Sequence, residues 1–301
     1  MKLSICVITM NRAMQVQEAL SSCLLGKLPA ETEFVVIDNA STDSTEHAVL
    51  DVLGDCGYHY YYEKVTENLG VGGGRNYAYE KASGEFVYML DDDATIDFEN
   101  NPQFFMQAIE LFETNHNVIT LTTQIYDTAW KRNRMENYGI RYSEKLYKCQ
   151  MFCGGSHFLR KSFFVDSPYL PNKYGYEEIP PSLRVIDAKK VNAFCPDLLV
   201  IHNPKRDKWD WSDEKNHDLL VKEVSLSYAI KRMMYPVVFL PLLRFAYRKR
   251  CKKHLKNVSN GKRRADEIVC ETILHYSINN NKKIRIRTVL GMCRDFGITV
   301  F

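Results

Sequence analysis

Three aspartates in a row, Asp91, Asp92 and Asp93, follow the apolar run Phe86, Val87, Tyr88, Met89 and Leu90. Like charges about 4 Å apart repel by about 1 kcal/mol in water and by several times that near a protein surface. A positive partner is therefore expected close by. A single Asp here would read as a solvated turn ending a strand, whereas three together suit a hard divalent cation or a cation-bridged phosphate. His202 closes a second apolar run, "DLLVIHNP". On its own it reads as a structural histidine more readily than as a ligand.

The elements that must carry these groups alternate. "LSICVIT" at 3–9, "EFVVID" at 33–38, "YHYYYEKV" at 58–65 and "EFVYML" at 85–90 are short apolar or aromatic runs of strand type. Between them, Met14–Leu25 and Ser44–Leu53 have helical spacing, with Ser41 and Asp43 as N-cap candidates for the second. Strand–helix alternation implies parallel pairing with right-handed crossovers. Ligands of such sheets sit beyond the carboxyl ends of the strands. Thr9 to Arg12, Asp38 with Asn39, and Asp91 to Asp93 are thereby predicted to share one edge.

The glycines Gly70, Gly72, Gly73 and Gly74 are expected in a loop that runs into a helix. They are no dinucleotide fingerprint, because Arg75 stands where the third glycine of GxGxxG belongs, and no GK[ST] makes a phosphate loop. A flexible backbone at a helix start, with Arg75 and Asn76 able to meet an anion or a sugar hydroxyl, is one reading. A tight turn is the other. Residues 118–170 are less regular, with expected strands at "VITLTTQIY" and "YKCQMFCGGSHFLR" in a mixed sheet extension facing a second ligand.

At 301 residues, 45% hydrophobic and 26% charged, the chain has ordinary globular composition, which excludes a disordered scaffold. Its nine cysteines are odd in number and scattered, and Cys149 with Cys153 lacks the second ligand pair of a zinc site. Reduced thiols in a cytoplasmic setting are expected. "MKLSICVITMNR" enters a strand at once, without the segments of an export signal.

"VITMNR", "VVIDNASTDST", "ENLGVGGGRNYA", "YMLDDDA", "FCGGSHFLRKSFF", "YGYEEIPPSLR" and "DLLVIHNP" occur in the order and approximate spacing of the family 2 glycosyltransferases. Over about residues 3–204 the chain resembles that family. The resemblance implies the GT-A fold, a Rossmann-like, mostly parallel α/β sheet flanked by helices. It implies that Thr9, Asn11 and Arg12 line the nucleotide pocket, with Asp38 receiving base or ribose and Asn39 and Asp43 nearby. Asn68, Gly72, Arg75 and Asn76 would lie beside the ribose and diphosphate of the donor. Asp91 and Asp93 match the DxD pair, the first contacting the nucleotide sugar and the last holding Mn²⁺ or Mg²⁺; Asp92 fills the variable place on the donor side. In the family pattern, a histidine at the place of His202 reaches the metal or the diphosphate.

The resemblance also implies an inverting transfer, which needs a base for the acceptor hydroxyl. Glu178, the second acid of the pair, takes that role, and Glu177 orients the acceptor or its neighbours. The chain departs from the family pattern here: Glu replaces the usual second Asp, and Pro180 and Pro181 precede Ser182, Leu183 and Arg184. Prolines suit the first turn of a helix. Gly154, Gly155 and Ser156, before Phe158, Leu159 and Arg160, resemble the acceptor-side turn, although glycines also relieve crowding at a sheet bend. Trp209 and Trp211 offer a stacking surface for a sugar ring, or pack locally.

A catalytic domain at 1–212 is expected to be followed by a helical basic region at 213–301. Residues 231–301 carry 17 Lys and Arg against 4 Asp and Glu, in a chain whose net charge is only +3. "MMYPVVFLPLLRFAY" at 233–247 is interrupted by Pro236 and Pro241 and is too short to span a bilayer. It reads either as a peripheral contact with an anionic membrane surface, at the inner face of the cell membrane, or as a packing appendage with a solvated basic face. Nucleic acid is not an expected partner, since no recognition motif accompanies the charge. The expected function is transfer of a sugar from a nucleotide-diphosphate donor, of the UDP-sugar kind, to a saccharide or lipid-linked saccharide in surface polysaccharide synthesis. The enzymatic alternative is a sugar-phosphate nucleotidyltransferase, which wants a glycine-rich, basic signature after its first strand that "VITMNRAMQ" lacks. A nucleotide-sugar or carbohydrate binding module without catalysis is the other, and Asp91, Asp93, Glu177 and Glu178 together speak against it.

Overall fold

A computed structural model describes residues 1–204, 210–277 and 282–301. The chain parts into two compact units, Met1–Pro204 and Lys205–Phe301. Trp209, one of the two candidate stacking tryptophans, lies outside the described residues.

The first unit alternates as the patterning predicts. β1 (Leu3–Thr9), α1 (Ala13–Leu25), β2 (Thr32–Asp38), α2 (Thr45–Leu53), β3 (His59–Lys64), α3 (Gly70–Lys81) and β4 (Phe86–Asp91) follow in order. Then come β5 (Ala94–Ile96), α4 (Phe104–Thr114), β6 (Val118–Asp127), β7 (Arg132–Asn133), β8 (Ile140–Arg141), β9 (Tyr147–Lys148), β10 (Ser156–Arg160), α5 (Ile179–Asp187) and β11 (Val191–His202). One sheet has the order β3-β2-β1-β4-β10-β6-β11-β9-β8. β3, β2, β1 and β4 are mutually parallel, β10 runs antiparallel between β4 and β6, and β11 is parallel to β6.

Strands buried on both faces need apolar side chains in both directions, hence the unbroken runs. Ile5, Val7, Phe34, Val36, Phe86 and Tyr88 join α1, α2 and α4 in one core. Their neighbours Cys6, Val35, Ile37, Val87 and Met89 join α3 and α5 in the other. The register aligns Thr9 with Asp38 and Ile8 with Asp91. The carboxyl ends of β1, β2 and β4 thus reach one edge, as the crossover rule requires.

Two local expectations are corrected. The glycines do not form a loop ahead of the helix, because α3 starts at Gly70 itself. A Cβ at Gly72 would stand 1.9 Å from the Leu170 carbonyl oxygen, and the amides of Val71 and Gly72 donate to the carbonyls of Lys173 and Asn172. The glycines let the segment 170–173 pack onto the first turn of the helix, which uses two of its otherwise orphaned N–H groups. The run "YKCQMFCGGSHFLR" is not one strand but the separate β9 and β10, since the glycines between them bend the chain under α5 and Arg75.

The second unit contains α6 (His217–Met234), α7 (Leu240–His254), α8 (Gly261–Ser277) and α9 (Ile286–Phe296). α6, α7 and α8 share a core of Val221, Val224, Tyr247, Cys251, Ala265 and Val269, against which Trp211 packs, and Tyr228 stacks on Tyr247 at 4.2 Å. Pro236 falls between α6 and α7, and Pro241 sits in the first turn of α7, where a missing N–H costs nothing. Among the described residues no helix is long and apolar enough to cross a membrane.

Candidate active site

The positive partners that the aspartates demand are two arginines. Arg12, just beyond β1, sets one Nη1 2.7 Å from Asp92 and 2.6 Å from Asp93. Arg75, on α3, sets Nη2 2.8 Å from Asp91, and its Nη1 lies 2.5 Å from Glu177 and 3.3 Å from Glu178. Nη2 of Arg75 also donates to the Gly154 carbonyl at 2.8 Å. One guanidinium therefore joins the end of β4 to the two glutamates ahead of α5, which are far apart in sequence.

Arg75 is buried and held charged by Glu177, Asp91 and Glu178 against the opposing effect of burial. Burial and the neighbouring Glu177 charge push the Glu178 carboxyl up to about 8, against the opposing pull of Arg75. Both glutamates avoid the water that would otherwise solvate them, and among the described residues Glu177 Oε2 has no hydrogen-bond partner. Gly154 is obligatory for this packing, since a Cβ there would come within 1.8 Å of Glu178 Oε1. Its neighbour Gly155 offers its carbonyl to the Asp91 N–H at 3.0 Å.

Asp91, Asp93 and His202 each offer one ligand atom, and these atoms all lie within 4.8 Å of one another. The β5–β11 ladder pairs Ala94 with His202, and the Asn203 N–H donates to the Asp93 carbonyl, so backbone pairing brings the histidine to the aspartates. His202 Nε2 lies 3.2 Å from Asp93, while Nδ1 lies 2.6 Å from Asp127. Burial disfavours the imidazolium, but the bonds to Asp127 and Asp93 outweigh it and raise the group to about 9. Asp93 falls to about 2, burial being overcome by His202 and Arg12. Asp92, more deeply buried, is raised to about 6 despite Arg12, with the Asp93 charge adding to the effect. Two carboxylates and an imidazole, one of its nitrogens already taken by a carboxylate behind it, form a donor set that fits Mn²⁺, and the carboxylates alone also fit Mg²⁺.

Of the other predicted residues, Thr9 ends β1 at the same edge and Asn39 bonds the Gly70 carbonyl at 3.3 Å. Asp38 is fully buried, one oxygen accepting from the Ser41 N–H at 2.7 Å and the other from the Tyr62 hydroxyl at 2.9 Å. Asn11, at φ 54°, accepts from the Thr42 N–H at 2.7 Å; Asp43 accepts from the Thr45 N–H at 3.1 Å, although the N-cap position of α2 is Ser44 rather than Ser41 or Asp43. Asn68 accepts from the Gly70 N–H at 2.7 Å. Asn76 spends both side-chain atoms on the Tyr169 backbone, at 2.9 Å each, and Gly72 is covered by residues 170–172. These last two are tied to that segment rather than turned to the sheet edge. Sequence reasoning missed Asp127 and Arg134. Asp127 carried a usable signal, since like Asp38 and Asp91 it closes a buried strand.

The profile of the family described as Glycosyl transferase family 2 matches residues 4–166. The chain belongs to the family 2 glycosyltransferases. Within it, 92 residues are 34% identical to a Campylobacter jejuni GalNAc(5)-diNAcBac-PP-undecaprenol beta-1,3-glucosyltransferase, a stretch covering 31% of this chain and 29% of that enzyme. The chain thus spans less than a third of that relative's length. An uncharacterized Haemophilus influenzae protein is 25% identical over 175 residues, 56% of this chain and 92% of that protein. Among solved structures, S. aureus TarS 1–349 in complex with UDP-GlcNAc superposes with a TM-score of 0.63 at 17% identity, over 100% of this chain and 89% of that one. The Pyrobaculum calidifontis mannosyltransferase PcManGT, in complex with GDP-Man and Mn²⁺, gives 0.59 at 15% identity, over 100% and 81% of the two chains. The fold of this family 2 glycosyltransferase is GT-A.

Proposed function

We propose that this glycosyltransferase is an inverting, divalent-cation-dependent enzyme. It moves one sugar from a nucleotide-diphosphate donor, of the UDP-sugar kind, to a saccharide or lipid-linked saccharide in surface polysaccharide synthesis. The observation that carries the reading is the reach of the Arg75 guanidinium to Asp91 on one side and to Glu177 and Glu178 on the other. Cation-holding and base-bearing carboxylates are thereby one side chain apart, as a single transfer requires. The ligands named in the TarS and PcManGT structures, UDP-GlcNAc and GDP-Man with Mn²⁺, are of the donor and cofactor classes invoked.

Asp91, Asp93 and His202 would hold Mn²⁺ or Mg²⁺, which when bound neutralises charge growing on the diphosphate leaving group as a Lewis acid. Glu178 takes the proton of the acceptor hydroxyl at a carboxylate oxygen. The acceptor oxygen forms its bond to the anomeric carbon as the bond from that carbon to the diphosphate breaks, and the nucleoside diphosphate leaves with the electron pair. Glu177 and Arg75 fix the position of Glu178. A carboxyl raised to about 8 is a stronger base than an ordinary glutamate and is only partly ionised at neutral pH. Screening UDP-, GDP- and dTDP-sugars for Mn²⁺-dependent nucleotide release tests the reading. Release from none of them, or equal release with and without the cation, would sink it.

The second unit supports a peripheral role at an anionic membrane, which would keep the enzyme at the cytoplasmic face near lipid-linked acceptors. Val237, Val238, Leu242 and Phe245 are 50–69% exposed, and a groove of about 850 Å³ that includes Val237 and Phe245 is rimmed by Arg232, Arg244 and Arg248. Apolar insertion with basic residues beside it is the pattern of interfacial binding. Flotation with neutral and anionic vesicles tests this reading, which fails if binding is independent of anionic lipid.

A further inference from the structure

His202 is aimed by more than its strand. β11 runs parallel to β6 with His202 opposite Asp127, so the two side chains sit at adjacent strand ends. The turn after β6 returns through β7, where Asp127 pairs with Arg132 and the Arg134 N–H donates to the Ile125 carbonyl at 2.8 Å. This return lays the Arg134 guanidinium along the Asp127 carboxylate in a two-bond fork, Nε to Oδ2 at 2.8 Å and Nη2 to Oδ1 at 2.9 Å. A fork of this kind fixes the plane of the carboxylate as well as its place.

His202 Nδ1 has two neighbours that make opposite demands. Asp127 Oδ1 at 2.6 Å accepts only, while Arg134 Nη2 at 2.8 Å donates only. The carboxylate is closer and carries the opposite sign to an imidazole proton, and its oxygen has a lone pair for each of Nη2 and Nδ1. The proton therefore belongs on Nδ1, and a cation at Nε2 would take the place of the second proton, which Nε2 otherwise shares with Asp93 at 3.2 Å. Asp127 and His202 are both buried, so water does not compete for these bonds.

We infer that Asp127, clamped by Arg134, is a positioning residue for the cation-holding group: it takes the Nδ1 proton of His202 and thereby turns the Nε2 lone pair toward a divalent cation shared with Asp91 and Asp93. The inference rests on the cation reading of that group. Partners behind a metal-binding histidine fix its tautomer and ring plane, and losing them typically weakens metal affinity by about 10- to 100-fold. Asp127→Asn is the informative change. An amide has one acceptor oxygen and no charge, so it can no longer accept from Arg134 Nε, Arg134 Nη2 and His202 Nδ1 together, and its hold on the Nδ1 proton and on the ring plane is lost or weakened.

The test is a titration of the whole chain with Mn²⁺ alone, free Mn²⁺ being read by electron paramagnetic resonance, alongside the melting temperature. Asp127→Asn is expected to bind Mn²⁺ about 10- to 100-fold more weakly with its melting temperature nearly kept, Arg134→Gln to fall between it and the wild type, and Arg134→Lys to recover most of the affinity. Binding by Asp127→Asn within about twofold of wild type would overturn the inference. Should Asp127→Asn not fold, Arg134→Gln decides, unchanged affinity overturning the inference and weakened affinity supporting it. Loss of binding in Asp93→Asn but not in Asp127→Asn defeats the positioning role alone. Wild-type binding indifferent to Asp93→Asn defeats the cation reading, and the inference with it.

Discussion

Two arginines meet carboxylates in this site under different conditions. The Arg12 side chain is 29% exposed and bridges Asp92 and Asp93 from the solvent side. Arg75 is 5% exposed and locked among Asp91, Glu177, Glu178 and the Gly154 carbonyl. Water screens the first pairing, so another cation can compete for Asp93 at small cost. The second pairing has no substitute, because removing one partner strands several buried charges. The exposed side of the site is thus exchangeable and the buried side is fixed, a division that suits the proposed roles, in which a cation and donor come and go beside a base that must not move.

That contrast can be broken most strongly at the base. Glu178→Gln is expected to lower transfer by about 10²- to 10⁴-fold while donor binding and folding persist, and near-normal turnover would remove Glu178 from the role. Next, Arg75→Met is expected to cost about 3–5 kcal/mol of stability, read by denaturant unfolding, because Glu177 and Asp91 lose their buried counter-charge. Gly154→Ala should act on the same region by displacing Glu178, with a loss of turnover larger than its loss of donor affinity. At the Arg12 side, Arg12→Ala is expected to cost less, about 1–3 kcal/mol, since Asp92 loses a charged partner while Asp93 keeps His202. Saturating Mn²⁺ should recover stability in Arg12→Ala and not in Arg75→Met, and equal recovery in both would erase the distinction.

The pH dependence follows from Glu178 with its sign fixed. Its carboxyl is raised in the folded state to about 8, burial and the neighbouring Glu177 outweighing Arg75. A base must be ionised to act, so transfer should climb as pH rises toward about 8 and then level off. Stability runs the other way. The folded state holds a proton that the unfolded chain gives up near the ordinary glutamate range, so this contribution is complete below that range and declines as pH rises through about 8. Rate profiles and melting curves of wild type and Glu178→Gln between pH 5 and 9 check both slopes: the variant should lose the rise in rate and the Glu178 share of the stability slope, while the share of Asp92, raised to about 6, remains.

Much of this is legible in the sequence alone. Continuous apolar runs ending in Thr9, Asp38 and Asp91 state both that the strands are buried and where they stop, and parallel pairing then forces those ends together. Asp127 obeyed the same rule, but its turn and the return to Arg134 leave no periodic trace in the chain. The glycines were misplaced for a related reason. Their lack of side chains signals close approach without saying of what, and the answer was the segment 170–173 rather than a ligand.

By itself, the sequence determined the alternation of elements, the charged groups available and the edge at which strand-borne acids gather, because periodicity and like-charge repulsion act locally along the chain. Only the tertiary structure decided which guanidinium meets which carboxylate. Arg75 reaches Asp91, Glu177 and Glu178, and Arg134 holds Asp127 against His202, through contacts between residues up to 103 positions apart. Such pairings depend on where sheet register and helix packing deliver side chains in space, and no one-dimensional spacing encodes that placement.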